Sequence, residues 1–257
     1  MKARALVLTG YGINCENESK YAFEKAGGKA DIIHVNKLIE NPQLLEEYNL
    51  FFIAGGFSYG DDLGSGKVLG NKIKNKLGDK ILDFYNAGKL IIGVCNGFQV
   101  LVKVGFLPYP DFKQRVTLTT NDSGRFEDRW VFLKANQNSP CIFTKGMDYL
   151  MLPVRHGEGK LIANEETRKE IWENNLVALQ YVGPKGEPTV EYPYNPNGSI
   201  DAIAGLCDKS GRVFGLMPHP EAFNIPQNCP YWPLGIVKEA MGIRFFKNAV
   251  DYLNEKF

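Results

Sequence analysis

Four short apolar runs divide the first hundred residues of this chain, at 5–8, 31–35, 50–54 and 90–94, and stretches of helical spacing lie between them. Runs this rich in Val, Ile, Leu and Phe read as strands buried on both faces. Strand–helix–strand alternation then builds a parallel sheet covered by helices on both sides. Residues 16–26 form an amphipathic helix stopped by the Gly27-Gly28 pair. A second helix runs through Ile73, Leu77, Ile81, Leu82 and Phe84, with a break expected at Gly78.

The second half changes character. Residues 115–143 are rich in β-formers, with Val116-Thr-Leu-Thr-Thr and Trp130-Val-Phe-Leu separated by the turn-forming Asn121-Asp-Ser-Gly. Residues 200–207 and 212–217 flank Asp208-Lys-Ser-Gly211, an antiparallel hairpin signal. Ile243, Phe246, Val250 and Leu253 then fall at helical spacing. With 257 residues, 44% of them hydrophobic, the chain has material for one large α/β domain and not for two. The expectation is a single domain over 1–257 with a β-rich elaboration in its second half.

Charge and cysteine usage narrow the function. Thirty basic against 29 acidic residues give a net charge of +1, which offers no overall field for nucleic acid or an anionic membrane. The start has no signal-peptide pattern, and no run approaches the roughly 20 apolar residues of a membrane span. A cytoplasmic protein is expected. The five cysteines (15, 95, 141, 207 and 229) are scattered, without C-x-x-C or a His/Cys cluster, so neither a disulfide framework nor a metal site is expected. Four of the five read as small buried apolar side chains.

The exception is Cys95. In Lys89-Leu-Ile-Ile-Gly-Val-Cys95-Asn-Gly-Phe-Gln a buried strand runs straight into a helix, with Gly93 and Gly97 flanking the cysteine. Small residues let neighbouring chain pass close beneath so sharp a turn. The turn lifts the sulfur above the carboxyl edge of the sheet, where parallel α/β proteins place their ligands. The helix beyond presents its positive end, which favours a negatively charged sulfur, and unpaired N–H groups that can receive an oxyanion. A structural cysteine in a tight turn fits the same residues; a partner base decides between the two.

That base is found in Gly215-Leu-Met-Pro218-His219-Pro220-Glu221. Prolines on both sides disfavour a helix and hold the segment extended, so His219 and Glu221 point to one side. Glu221 then orients the ring while its other nitrogen faces the cysteine. The chain has only three histidines; His34 reads as structural, near a strand end.

An elbow cysteine followed far downstream by His-x-Glu resembles the class I, triad-type glutamine amidotransferases. Several stretches resemble one branch, the glutaminase subunits of phosphoribosylformylglycinamidine synthases. They are Gly55-Gly-Phe-Ser-Tyr-Gly-Asp61, Gly93-Val-Cys-Asn-Gly-Phe-Gln99, His156-Gly-Glu-Gly159, Asn195-Pro-Asn-Gly-Ser199 and Met217-Pro-His-Pro-Glu221. Gly12-Ile-Asn-Cys-Glu16 also looks like that branch. Ala222 departs from it, standing where the family commonly carries a basic residue.

The resemblance implies a flavodoxin-like three-layer α/β/α sandwich with a mostly parallel central sheet. It implies hydrolysis of L-glutamine through a Cys95 glutamyl thioester, with His219 as acid and base and Glu221 orienting it. It gives the backbone N–H of Gly56 or Phe57 and that of Asn96 as the oxyanion hole, and Gln99, His156 and Gly157 as glutamine-binding positions. No cofactor is expected in this chain. ATP and magnesium belong to a large synthetase subunit, with a small accessory subunit in some complexes. That synthetase would convert formylglycinamide ribonucleotide to formylglycinamidine ribonucleotide in purine biosynthesis. Gly64-Ser-Gly-Lys67 suggests a phosphate loop but fails the test, having Asp61 for the first glycine and Val68 after the lysine. The competing readings are a glutaminase serving another synthetase, a non-catalytic relative of the fold, and a free-standing Cys-His hydrolase.

Overall fold

The apolar runs at the start of the chain become the parallel half of a sheet. In the computed structural model, which describes residues 2–257, the strands β1 (Arg4–Thr9), β2 (Lys29–His34), β3 (Leu50–Ile53) and β4 (Leu90–Val94) run in register. β1 pairs with β2 and β3, and β3 with β4. Every residue of β3 and β4 is buried, as runs of Leu, Phe, Ile and Val require. Helices α1 (Glu16–Lys25), α2 (Val35–Glu40) and α3 (Lys67–Asn86) make the crossovers, and α4 (Asn96–Val104) follows β4 with no loop. His34 accepts a hydrogen bond from the Asn36 N–H at 3.1 Å and caps α2.

α3 is continuous through Gly78, against the break expected there. A Cβ at that position would lie 3.4 Å from the Phe112 ring, an ordinary contact, so packing does not demand the glycine. A single glycine costs a helix only about 1 kcal/mol, which a long buried face offsets.

The second half supplies β5 (Val116–Thr119), β6 (Glu127–Ala135), β7 (Tyr149–His156), β8 (Lys160–Ala163), α5 (Glu165–Glu173), β9 (Val177–Tyr181), β10 (Ile203–Cys207), β11 (Val213–Leu216) and α6 (Ile243–Lys256). β10 and β11 form the expected hairpin, but β11 also pairs in parallel with β4. From β10 onward the pairing with β9, β6 and β7 is antiparallel. The elaboration therefore extends one nine-stranded sheet, in the order β2-β1-β3-β4-β11-β10-β9-β6-β7, while β5 and β8 pair separately.

Neighbouring residues of β3 reveal both helical layers. Phe51 meets Phe84 of α3, and Phe52 stacks on Phe246 of α6, because successive strand side chains point to opposite faces. The sheet also curls. β7, last in the order, returns to the ends of β4 and β11, where its Pro153 carbonyl accepts from the His219 N–H at 2.8 Å.

Candidate active site

Cys95 caps α4 at φ 51° and ψ −106°, a backbone conformation rare for any residue with a side chain. Its flanking glycines show what forces the turn. A Cβ on Gly97 would stand 1.9 Å from the Ile53 carbonyl oxygen, and one on Gly93 would stand 2.4 Å from that of Gly97. Strand β3, the elbow and the first turn of α4 thus touch backbone to backbone. The Cys95 N–H is fixed on the Leu216 carbonyl at 2.8 Å, which ties the elbow to the strand that delivers the histidine. The thiol donates to the Arg155 carbonyl of β7 at 3.6 Å.

His219 follows β11 and is buried with Glu221, whose Oε1 lies 2.6 Å from Nδ1 of the ring. The segment is not extended as expected: Pro220–Ala222 forms a 3-10 turn. Proline's fixed φ suits the first position of such a turn, so Glu221 reaches the ring by folding back. Burial pulls the His219 pKa down. The Glu221 carboxylate, with both the Cys95 and Cys15 sulfurs, outweighs that and holds the pKa well above the ordinary histidine value. Gly55, at the end of β3, leaves room for the ring; a Cβ there would be 3.0 Å from its Cε1. The Cys95 thiol, the His219 imidazole and the Glu221 carboxylate thus meet at the carboxyl edge of the parallel strands.

The other expected positions divide. The Phe57 N–H is spent on the Gly12 carbonyl at 2.7 Å, so Phe57 is not an available oxyanion donor in this arrangement. The cause is a short antiparallel bridge between Ile13 and Gly56, which sequence spacing does not reveal. Gly56 sits at φ 150° within that bridge, and the Asn96 N–H lies in the first helical turn, where the helix provides no acceptor. Gln99 is buried with both ends of its amide engaged. Its Nε2 donates to the Glu158 carbonyl at 2.5 Å, and its Oε1 accepts from Asn96 at 2.9 Å. His156 is likewise held between Asn121 (3.2 Å) and Asn197 (3.5 Å). Burial, then the charge of His219, lowers the His156 pKa to about 3. Gly157 keeps open space where a Cβ would point, with only a Phe126 ring carbon at 4.0 Å. The Asn195–Ser199 motif has a structural explanation: Asn195, Asn197 and Ser199 hydrogen-bond one another, and Ser199 reaches the backbone of 159–161.

Sequence reasoning missed Cys15 and Glu18. Cys15 is buried at the end of the loop after β1, and its thiol lies among His219 and Glu221. Burial, modulated by His219, pushes this thiol up to about 11. The available signal was its place in Gly12-Ile-Asn-Cys-Glu16, directly beyond a parallel strand, an edge shared with Cys95.

The fold and the site define a glutamine-using amidotransferase. Residues 2–253 match the family of the CobB/CobQ-like glutamine amidotransferase domain, and the chain belongs to that family. It is therefore an enzyme of glutamine amide chemistry. Among curated relatives it is 46% identical, over 98% of each chain, to the phosphoribosylformylglycinamidine synthase subunit PurQ of Methanococcus maripaludis. It is 47% identical, over 99% of each chain, to the PurQ subunit of Dehalococcoides mccartyi. A chain in the solved structure of PurLQS from Thermotoga maritima matches with a TM-score of 0.73 at 30% identity, covering 98% of this chain and all of that one. Among the described residues, no helix is long and apolar enough to cross a membrane.

Proposed function

We propose that this chain is the glutaminase subunit of a phosphoribosylformylglycinamidine synthase and that Cys95, His219 and Glu221 carry its chemistry. The observation that supports the residue assignment most directly is the buried His219–Glu221 pair at 2.6 Å, set at the same sheet edge as the strained cysteine elbow. The Cys95 thiolate attacks the side-chain amide carbon of L-glutamine. The carbonyl oxygen becomes an oxyanion, received by the N–H groups of Asn96 and Gly56. Such a donor is typically worth about 3 kcal/mol. His219, held in its protonated form by Glu221, gives its proton to the departing ammonia. The glutamyl thioester left on Cys95 is then hydrolysed by a water from which His219 takes a proton, yielding glutamate and regenerating the thiol.

The reaction needs no cofactor here, since thiol, imidazole and backbone dipoles supply the nucleophile, proton transfer and charge stabilisation. Gln99 and His156, engaged with neighbouring groups, build the wall of the glutamine pocket rather than grip the substrate. Gly157 is the position from which backbone can contact it. The ammonia passes to a large synthetase subunit, which uses ATP and magnesium to form formylglycinamidine ribonucleotide, with a small accessory subunit completing the complex. The similarity to PurQ subunits over the full chain, and to a chain of PurLQS, supports these partners.

The reading is tested by exposing the purified chain, alone and with its synthetase, to an electrophilic glutamine analogue and measuring intact mass with peptide mapping. One adduct at Cys95, blocked by glutamine and absent from Cys95→Ala, is the expected result. No adduct even with the synthetase present would sink the reading.

A further inference from the structure

Cys15, Glu18, His219 and Glu221 come from opposite ends of the chain, yet one ligand-type atom of each lies within 4.8 Å of the others. Cys15 precedes α1, Glu18 stands in its first turn, and His219 and Glu221 occupy the turn after β11. The glutaminase chemistry uses the last two and leaves the first two without a task. Glu18 has a 3.8 Å contact with Arg155, long for an ion pair and partly exposed, and the Cys15 thiol donates to Asn14 at 3.3 Å.

Two further observations point to a ligand. Nε2 of His219 and Oε2 of Glu221 are buried without a hydrogen-bond partner. Unsatisfied buried polar atoms are rare and costly. The local charge is also one-sided, with the Glu18 and Glu221 carboxylates beside the His219 ring and Arg155 3.8 Å from Glu18. One sulfur, one imidazole nitrogen and two carboxylates make the donor set of a borderline-soft divalent cation; magnesium and calcium prefer oxygen alone. Zinc holds sulfur at about 2.3 Å and nitrogen or oxygen at about 2.0–2.2 Å, which puts tetrahedral ligand atoms roughly 3.3–3.7 Å apart. Closing from the 4.8 Å upper spacing takes about 1–1.5 Å, within reach of the unbranched, partly exposed Glu18 side chain, while the 2.6 Å His219–Glu221 pair opens to about 3.3 Å.

We propose that these four side chains form an inhibitory site for a zinc-class divalent cation, which on binding withholds His219 and Glu221 from Cys95. Ligation releases two protons to solvent, one from the Cys15 thiol and one from the His219 ring, and makes no bond to Cys95. The inhibitory consequence rests on the catalytic reading above; the binding does not.

The test begins with the full-length Cys95→Ala chain, which lacks the other sulfur of the site. Titrated with Co2+, it is expected to take up one equivalent and develop a sulfur-to-cobalt charge-transfer absorption. Adding Cys15→Ala should abolish that band; Cys15→Ser, which keeps the size and a polar head, serves where the alanine variant fails to fold. Glu18→Gln should weaken Zn2+ binding at least tenfold in competition with a chromophoric chelator. No band in Cys95→Ala, or a band that survives loss of Cys15, overturns the site. With the synthetase present, Zn2+ should inhibit glutamine hydrolysis reversibly, and Glu18→Gln should require at least tenfold more metal. Inhibition indifferent to Glu18 would place the metal on Cys95 and overturn the inhibitory role. A failure of the glutaminase reading would show separately, as missing glutamine-analogue labelling at Cys95.

Discussion

The strain at Cys95 and the burial of His219 make sense together. A side chain held at φ 51° costs of order 1–3 kcal/mol, tolerated where surrounding backbone leaves no alternative. In return the sulfur stands clear of the sheet at the start of a helix. Glu221 is the residue on which the protonation of His219 depends. Glu221→Gln removes the charge that opposes the desolvation of the ring. It should lower kcat for glutamine about a hundred- to ten-thousandfold with little change in KM, read in steady-state assays of the assembled complex. The two buried histidines also pull stability in opposite directions with pH. His219 has a raised folded pKa, so its contribution is full below about 6.5 and is lost as pH rises through the folded value. His156 has a folded pKa of about 3, so below about 6.5 the unfolded chain binds a proton that the native chain refuses. Stability should therefore fall by about 1.4 kcal/mol per pH unit from this residue between those values. Urea titrations of His156→Gln should show a flatter acid limb than those of the unsubstituted chain, after allowing for a lower stability throughout.

At the scale of elements, the elbow is held by backbone contacts that no side chain can enter. Gly97→Ala would drive a methyl group to 1.9 Å from the Ile53 carbonyl oxygen, and since both partners are backbone, neither can rotate away. It should destabilise by about 3 kcal/mol or more and lower Tm by several degrees. Gly27→Ala makes a useful comparison: no atom lies within 4 Å of its Cβ, so its effect comes from φ +99° alone. The last helix contributes in the ordinary way, through a buried face of Phe245, Phe246, Ala249, Val250 and Leu253. Phe246 stacks on Phe52 of the central strand, so Phe246→Ala should cost about 3–5 kcal/mol in denaturant titrations.

At the scale of the whole molecule, the continuous sheet has two consequences. β11 pairs in parallel with β4 on one side and antiparallel with β10 on the other, so the two halves share a single ladder. Calorimetry should give one unfolding transition, with the calorimetric and van't Hoff enthalpies in agreement. The second consequence is that β7, from the antiparallel half, lays its Pro153 and Arg155 carbonyls against the histidine and the thiol. A partner that shifts β7 reaches the site directly. Glutamine hydrolysis should be slow in the isolated chain and rise at least tenfold when the synthetase is added; equal turnover with and without it would contradict that coupling.

What the sequence determined by itself was local. Apolar runs placed the four parallel strands, and Gly-x-Cys-x-Gly placed the elbow, because turn chemistry and hydrophobic periodicity act over a few residues. His219 and Glu221 were legible as a pair, though a 3-10 turn rather than extended chain brings them together. Tertiary structure alone decided what lies between distant segments. It spent the Phe57 N–H on Gly12, engaged both ends of the Gln99 amide and both ring nitrogens of His156, and folded β7 over the site. It also set Cys15 and Glu18 beside residues some two hundred positions away. Hydrogen bonds and charges are satisfied by whatever the fold brings near, and linear spacing carries no record of that choice.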